Sequence, residues 1–271
     1  MQIHKVVRYV LLIAVTMIVL FPIFWLFHMS IISPNEITTL PPKIFSKPSF
    51  ESFFLIFKDN NILKYIFNSF IIALSTTALS LIIGLPAAYS LARFEYRGKL
   101  FFSISVLLLY VMPPIAMVLP FYRIFQSLGL SGTRVSLALA HSLITIPLAI
   151  FLLRGFIASL PTEIEYAAMI DGCTRVESIF RVTIPLLLPG IGATAVLCFL
   201  YSWNDFIYAS ILSGRFSKTA PLLIAGFITD KAIYWDRIAS AGVLVLLPPL
   251  IMGVLVQPYL VEGLSAGSVK G

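Results

Sequence analysis

Residues 160–190, LPTEIEYAAMIDGCTRVESIFRVTIPLLLPG, form a polar interruption between two long apolar runs. Two helix-start signals stand in this stretch. Thr162 is followed three residues on by Glu165, and Thr174 by Glu177 at the same spacing. In such a pair the hydroxyl and the carboxylate each satisfy a backbone N–H of the first helical turn. Gly172 lies between them, where a helix end takes a residue free to adopt positive φ. The pattern predicts a short helix over 163–171, a glycine stop, a second short helix over 175–182, and a turn at Pro185 into the next run. Ala167 and Ala168 offer small side chains that another surface can approach closely, and Glu165 and Asp171 can meet basic groups. On these residues alone, a capped connector and a docking knob fit equally well.

Outward from this stretch the chain is mostly apolar. Of its 271 residues 59% are hydrophobic and 11% charged, against roughly 25% charged in a soluble domain. Lipid must therefore act as solvent for much of the surface. Crossing the hydrocarbon takes about 20 helical residues, and six runs suffice: 8–29, 66–92, 100–122, 135–156, 187–211 and 238–260. In lipid each must be a helix, because an isolated strand leaves its backbone groups unpaired. The runs are too long and continuous for β-barrel strands. The expected fold is all-α, a polytopic six-span transmembrane bundle in one domain over 1–271, with 157–186 as a cytoplasmic loop. Pro22, Pro86, Pro113, Pro114, Pro120, Pro147, Pro248 and Pro249 fall within spans, where proline kinks a helix.

The N-terminal run follows Lys5 and Arg8. It is longer than a signal-peptide core and lacks a small-x-small cleavage site, so it reads as a retained first span. Counted over all loops, the basic residues divide evenly. The tightest cluster, Arg93, Arg97 and Lys99 in RFEYRGK, occupies the shortest loop, and with Lys5 and Arg8 it places the N-terminus in the cytoplasm. Six spans then place the C-terminus there too. The basic residues form no stripe with interleaved aromatics, so nucleic acid is not an expected partner. Cys173 and Cys198 support neither a disulfide framework nor a zinc site, and His4, His28 and His141 lack metal-ligand spacing.

Two long outer loops remain. Residues 31–64 contain Pro41 and Pro42 and a stretch, 50–57, that reads as a short interfacial helix. Residues 213–236 contain Thr229, Asp230, Tyr234 and Trp235. Near the outer end of the fifth span, Tyr201, Trp203, Asn204, Asp205 and Tyr208 combine aromatic faces with polar groups, as sugar sites do. An aromatic interface belt accounts for them equally well. An intramembrane enzyme would need a nucleophile and base or a metal pair, and neither HExxH nor a Ser/His pairing is evident. An ion-coupled secondary transporter would need inverted repeats and buried charges.

The opening stretch resembles the EAA signature of membrane subunits in ATP-binding-cassette importers. In that signature Glu, x, Ala, Ala, three residues and Gly are followed, nine residues later, by aliphatic, x, aliphatic, Pro. Glu165, Ala167, Ala168, Gly172, Val182, Ile184 and Pro185 fill it. Asn68–Ser69, AAYSLARF at 87–94, WNDF at 203–206 and the tail GLSAGSVKG at 263–271 resemble the carbohydrate-uptake, maltose-type branch. The first span and the loop after it match loosely.

The resemblance implies the type I importer permease fold, located in the cell membrane. It implies a second homologous permease, a dimer of ATPase subunits that carries the ATP and Mg, and an extracytoplasmic solute-binding protein. No cofactor belongs to this chain itself, which has no GxxxxGK[ST] run, and the chain is a transport subunit rather than an enzyme. Glu165, Ala167, Ala168, Asp171, Gly172 and Pro185 are the expected ATPase-coupling residues. Tyr201, Trp203, Asn204, Asp205 and Tyr208 are the expected substrate path, with residues 213–236 toward the binding protein. A sugar is the expected cargo. Glycerol phosphate or a polyol is the alternative, although an anion would want Arg or Lys within the spans.

Overall fold

The apolar runs become helices because only intrachain hydrogen bonds can satisfy their backbone in lipid. The computed structural model describes residues 2–39 and 47–266. Pro41, Pro42 and residues 267–271 of the tail lie outside the described residues. In chain order the helices are α1 (Gln2–Ser30), α2 (Glu51–Lys58), α3 (Ile62–Arg93), α4 (Lys99–Val111), α5 (Pro114–Ser127) and α6 (Arg134–Ser159). After them come α7 (Thr162–Ile170), α8 (Arg175–Ser178), α9 (Ile184–Trp203), α10 (Ile207–Leu212), α11 (Ala220–Ala225) and α12 (Trp235–Ala266). A π-helical turn, Ile179–Thr183, joins α8 to α9. Among the described residues there is no strand, only two isolated bridges. Five helices are long and apolar enough to cross a membrane, or six when the bent pair α4 and α5 counts as one span.

That bend falls at Pro113 and Pro114 within the expected span over 100–122 and is far sharper than a kink. The two helices meet at 96°. Met112 and Pro113 both have ψ near 128°, the extended conformation that a following proline favours. Pro22, Pro86, Pro120 and Pro147 stay inside continuous helices. The fifth span also differs, since its helix ends at Trp203 and resumes at Ile207. The expected turn at Pro185 is absent, and helix runs on from α8 through α9. Pro185 lacks an N–H and its ring crowds the preceding turn. The wider π turn absorbs this, with the Ile184 N–H donating to the Ile179 carbonyl five residues back.

The chain forms two compact units. One comprises Met1–Ile66 and Ala220–Leu247. In it α1 is apolar on every side and leaves Met17 68% and Ile18 73% exposed, a surface suited to lipid. The predicted helix over 50–57 is present as α2. Its Ile56 packs with Ile62, Phe227 and Ala241, and Ser52 Oγ donates to Asp236 Oδ2 at 3.2 Å.

The second unit comprises Phe67–Thr219 and Pro248–Gly271. Helix α6 is its centre and packs on α9, α4 and α10. Small polar residues let these helices approach and bond without large side chains. Ser80 Oγ and Thr145 Oγ1 lie 2.6 Å apart, and Thr76 Oγ1 donates to the Ala138 carbonyl at 3.3 Å. A Cβ on Gly84 would sit 3.0 Å from that of Ala149, which shows how closely α3 and α6 approach.

Candidate functional site

Two sites emerge, a loop at one end of the second unit and a cleft within it. In the loop the second helix-start signal forms as expected. The Thr174 N–H donates to Glu177 Oε2 at 2.8 Å and the Glu177 N–H to Thr174 Oγ1 at 3.3 Å. Gly172 has φ +95° and ends α7. The first signal does not form. Helix α7 begins at Thr162 with Pro161 in the cap position, so it has no side-chain cap, and the Glu165 carboxylate is engaged elsewhere. Its Oε2 accepts from Tyr89 Oη at 2.6 Å and its Oε1 from Arg93 Nε at 2.8 Å. Charge-assisted bonds of this kind outweigh a neutral cap. Arg93 also donates to the Leu160 carbonyl at 3.0 Å, and the Arg175 guanidinium lies 5.2 Å from the Phe94 ring centroid. The run AAYSLARF thus supplies Tyr89, Arg93 and Phe94, the contacts that fasten the loop to the end of α3.

The expected coupling residues fall on two faces. Glu165 and Ala168, three apart and so on one side of the helix, are buried. Ala167, Asp171, Gly172 and Pro185 are exposed. Beside them stand apolar residues that the motif does not single out: Tyr166 at 55%, Ile170 at 85% and Val176 at 62% exposure. Together they form an exposed apolar patch on an otherwise polar loop. Sequence periodicity over nine helical residues is too short to reveal it.

The cleft, about 680 Å³, opens at the α4–α5 bend and the α9–α10 break. Tyr110, Tyr201, Asn204, Asp205 and Phe206 are among its lining residues. Of the expected path residues, Tyr201, Asn204 and Asp205 therefore come together there. Trp203 and Tyr208 do not: both are fully buried, Trp203 stacked on Phe199 and Tyr208 packed in the core beside Phe121.

Beneath the cleft lies a residue that spacing gave no reason to single out. His141, on α6 and fully buried, has Nδ1 2.7 Å from Ser202 Oγ and Nε2 3.1 Å from Asp205 Oδ2. A Ser/His/Asp trio is thus present although the sequence does not announce it, since His141 lies more than sixty residues before Ser202 and Asp205. Its order is the reverse of a hydrolase site. There serine meets the substrate and the acid is buried behind the histidine. Here Ser202 is buried and Asp205 lines the cleft.

The sequence profile described as "binding-protein-dependent transport system inner membrane component" matches residues 80–265. The sulfoquinovosyl glycerol transport system permease protein of Agrobacterium fabrum is 32% identical over 254 residues, covering 93% of this chain and 89% of that protein. The trehalose transport system permease protein of Mycobacterium tuberculosis is 34% identical over 256 residues, covering 93% of each. A chain in the crystal structure of a bacterial ABC transporter that imports alginate superposes with a TM-score of 0.78 at 22% identity, covering 95% of this chain and 96% of that one. That likeness establishes the type I importer permease fold. With the profile covering well over half the sequence and relatives above 30% identity along nearly all of it, this chain belongs to the family of binding-protein-dependent transport system inner membrane components.

Proposed function

We propose that this chain is the subunit through which a partner ATPase drives import of a sugar or oligosaccharide by alternating access. The observation that carries the reading is the two-faced loop. Glu165 fastens α7 to α3 through Tyr89 and Arg93 and Ala168 is buried, while Ala167, Ile170, Asp171 and Gly172 face outward as a surface for the ATPase subunit. A partner pushing on that surface moves α3 through Glu165, Tyr89 and Arg93. Pro185 and the π turn pass the movement to α9, whose far end carries the cleft. ATP and Mg belong to the ATPase dimer. ATP binding drives transport only by favouring one permease conformation over the other.

The cleft is the proposed path, with Tyr201, Asn204 and Asp205 on its wall, and Trp203 and Tyr208 supporting it from behind. Relatives named for trehalose and for sulfoquinovosyl glycerol favour a glycoside as cargo. A second homologous permease completes the pathway. The loop of residues 213–236 faces an extracytoplasmic binding protein, and both termini lie in the cytoplasm.

The test is purification of the tagged chain from membranes with its neighbours, followed by reconstitution. Co-purification of an ATPase subunit, and uptake that requires both ATP and the binding protein, are expected. Uptake driven by an ion gradient without ATP would end the reading.

A further inference from the structure

A second cavity, of about 490 Å³, is a groove between α3 and the stretch that runs from α8 through the π turn into α9. It follows α3 from Leu81 to Tyr89, and its opposite wall extends from Val176 to Leu187. Leu81 stands about 18 Å along the helix from Arg93 at the end of α3, and half of the hydrocarbon is about 15 Å deep. The groove is therefore about one leaflet deep. Its placement rests on the import reading above, which puts the loop of residues 157–186 in the cytoplasm; the groove then opens to the cytoplasmic leaflet.

The wall decides what fits. Helices that meet in a membrane approach over small residues, and no Gly, Ala or Ser lines this groove. Its large side chains, with Ile82 70% and Phe180 65% exposed, keep out a helix about 10 Å across. A flexible hydrocarbon chain can enter between them. One wall residue asks for a polar partner. Thr183 is 1% exposed and its Oγ1 has no hydrogen-bond partner. A buried hydroxyl left unpaired is costly, and an ester carbonyl in the groove supplies the acceptor.

At the mouth stands a cation. Arg175 is exposed and adjoins Val176. Its guanidinium lies 5.2 Å from the Phe94 ring centroid, and that ring packs 5.9 Å from the ring of Tyr89 on the groove wall. Among the described residues no carboxylate is within ion-pair distance of Arg175, since Glu165 is held by Arg93 and Glu177 by Arg181. Basic groups between helices at the cytoplasmic face take anionic headgroups.

We propose that the groove binds one anionic phospholipid of the cytoplasmic leaflet, with an acyl chain between α3 and α9, an ester carbonyl at Thr183 and the phosphate at Arg175. Eight residues, about 12 Å of helix, separate Arg175 from Thr183. A phosphate, its glycerol and a carbonyl bridge that span with one hydrogen bond at each end.

The test is photolabelling of the assembled importer in phosphatidylcholine nanodiscs that carry a trace of phosphatidylglycerol or phosphatidylcholine with a photoreactive acyl chain. Labelled segments are mapped by mass spectrometry. Labelling of residues 10–20 of α1, whose large side chains are exposed, normalises each sample. Residues 81–89 and 176–187 are expected to take up phosphatidylglycerol about fivefold more than phosphatidylcholine, the gain from one Arg near the membrane surface. Arg175→Gln brings the two probes to within about twofold. Thr183→Val keeps the shape and lowers both probes about threefold. Leu85→Trp fills the groove and removes labelling of these segments, while that of α1 stays.

Equal labelling by both probes in wild type, an unchanged ratio in Arg175→Gln, or unchanged labelling in Thr183→Val or Leu85→Trp overturns the proposal. So does labelling of α1 with none of residues 81–89, the result of a groove covered by the second permease. Arg175 is exposed, so its variant is expected to fold and decides the matter even if Leu85→Trp misfolds. Binding-protein-stimulated ATP hydrolysis in the same nanodiscs reports the import reading separately. If hydrolysis holds while the labelling pattern fails, only the lipid site is wrong. If the pattern holds while ATP has no effect, only the import reading falls.

Discussion

Replacing Glu165 tests the junction between the loop and α3. Its carboxylate holds two donors, Tyr89 Oη at 2.6 Å and Arg93 Nε at 2.8 Å, with the Arg93 and Glu165 side chains 7% and 10% exposed. Glu165→Ala leaves the guanidinium with the Leu160 carbonyl as its remaining partner. Removing one member of a buried ion pair costs about 3–5 kcal/mol. Glu165→Gln keeps the shape and a bond to Tyr89 but loses the charge, a loss of about 1–3 kcal/mol. Arg93→Ala combined with Glu165→Ala removes both charges, so the double variant should be more stable than the sum of the singles predicts. The interaction energy from that cycle should be about 1.5–3 kcal/mol. Reversible unfolding of the purified chain in mixed micelles reads the stabilities. Uptake per ATP hydrolysed, in the reconstituted importer, reads coupling, and it should fall in Glu165→Ala while hydrolysis persists. Additivity within about 0.5 kcal/mol, or full coupling in Glu165→Ala, would refute the idea that Glu165 ties the loop to α3.

Two further outcomes are expected. Gly172→Val meets no atom within 4 Å of the new Cβ, so its cost is the strain of φ +95°, about 1–2 kcal/mol; membrane abundance should hold while uptake per ATP falls, and normal uptake would remove Gly172 from the coupling surface. Asn68→Ala breaks two bonds from Nδ2, to the Phe216 carbonyl at 3.0 Å and the Lys218 carbonyl at 2.8 Å; about 2 kcal/mol should be lost, seen as faster protease cleavage within 213–219.

The spans were legible because hydrocarbon imposes a length and a composition that few other settings reproduce. The bend between α4 and α5 was not. Pro113–Pro114 breaks a helix while Pro248–Pro249 lies inside α12, so the dipeptide does not decide and tertiary packing does. In the loop, Gly172 and the Thr174–Glu177 box could be read directly, since both act within a few residues. The Thr162–Glu165 box was a false signal: Tyr89 and Arg93, more than seventy residues earlier, take the carboxylate that local spacing assigned to a cap. The cleft divided in the same way. Tyr201, Asn204 and Asp205 share a wall, as their clustering suggested, but helical rotation sends Trp203 inward, and His141 reaches Asp205 only through the packing of α6 on α9.

Contact between the outward face of residues 162–185 and the ATPase can be measured by cross-linking. In a background with Cys173→Ser and Cys198→Ser, Ala167→Cys or Asp171→Cys carries a short bifunctional reagent in assembled importer. A cross-link from both positions to the ATPase subunit is expected, and none from Asp230→Cys in the loop of residues 213–236. Cross-links from Asp230→Cys alone, or none from Ala167→Cys and Asp171→Cys in an importer that still hydrolyses ATP, would contradict that contact.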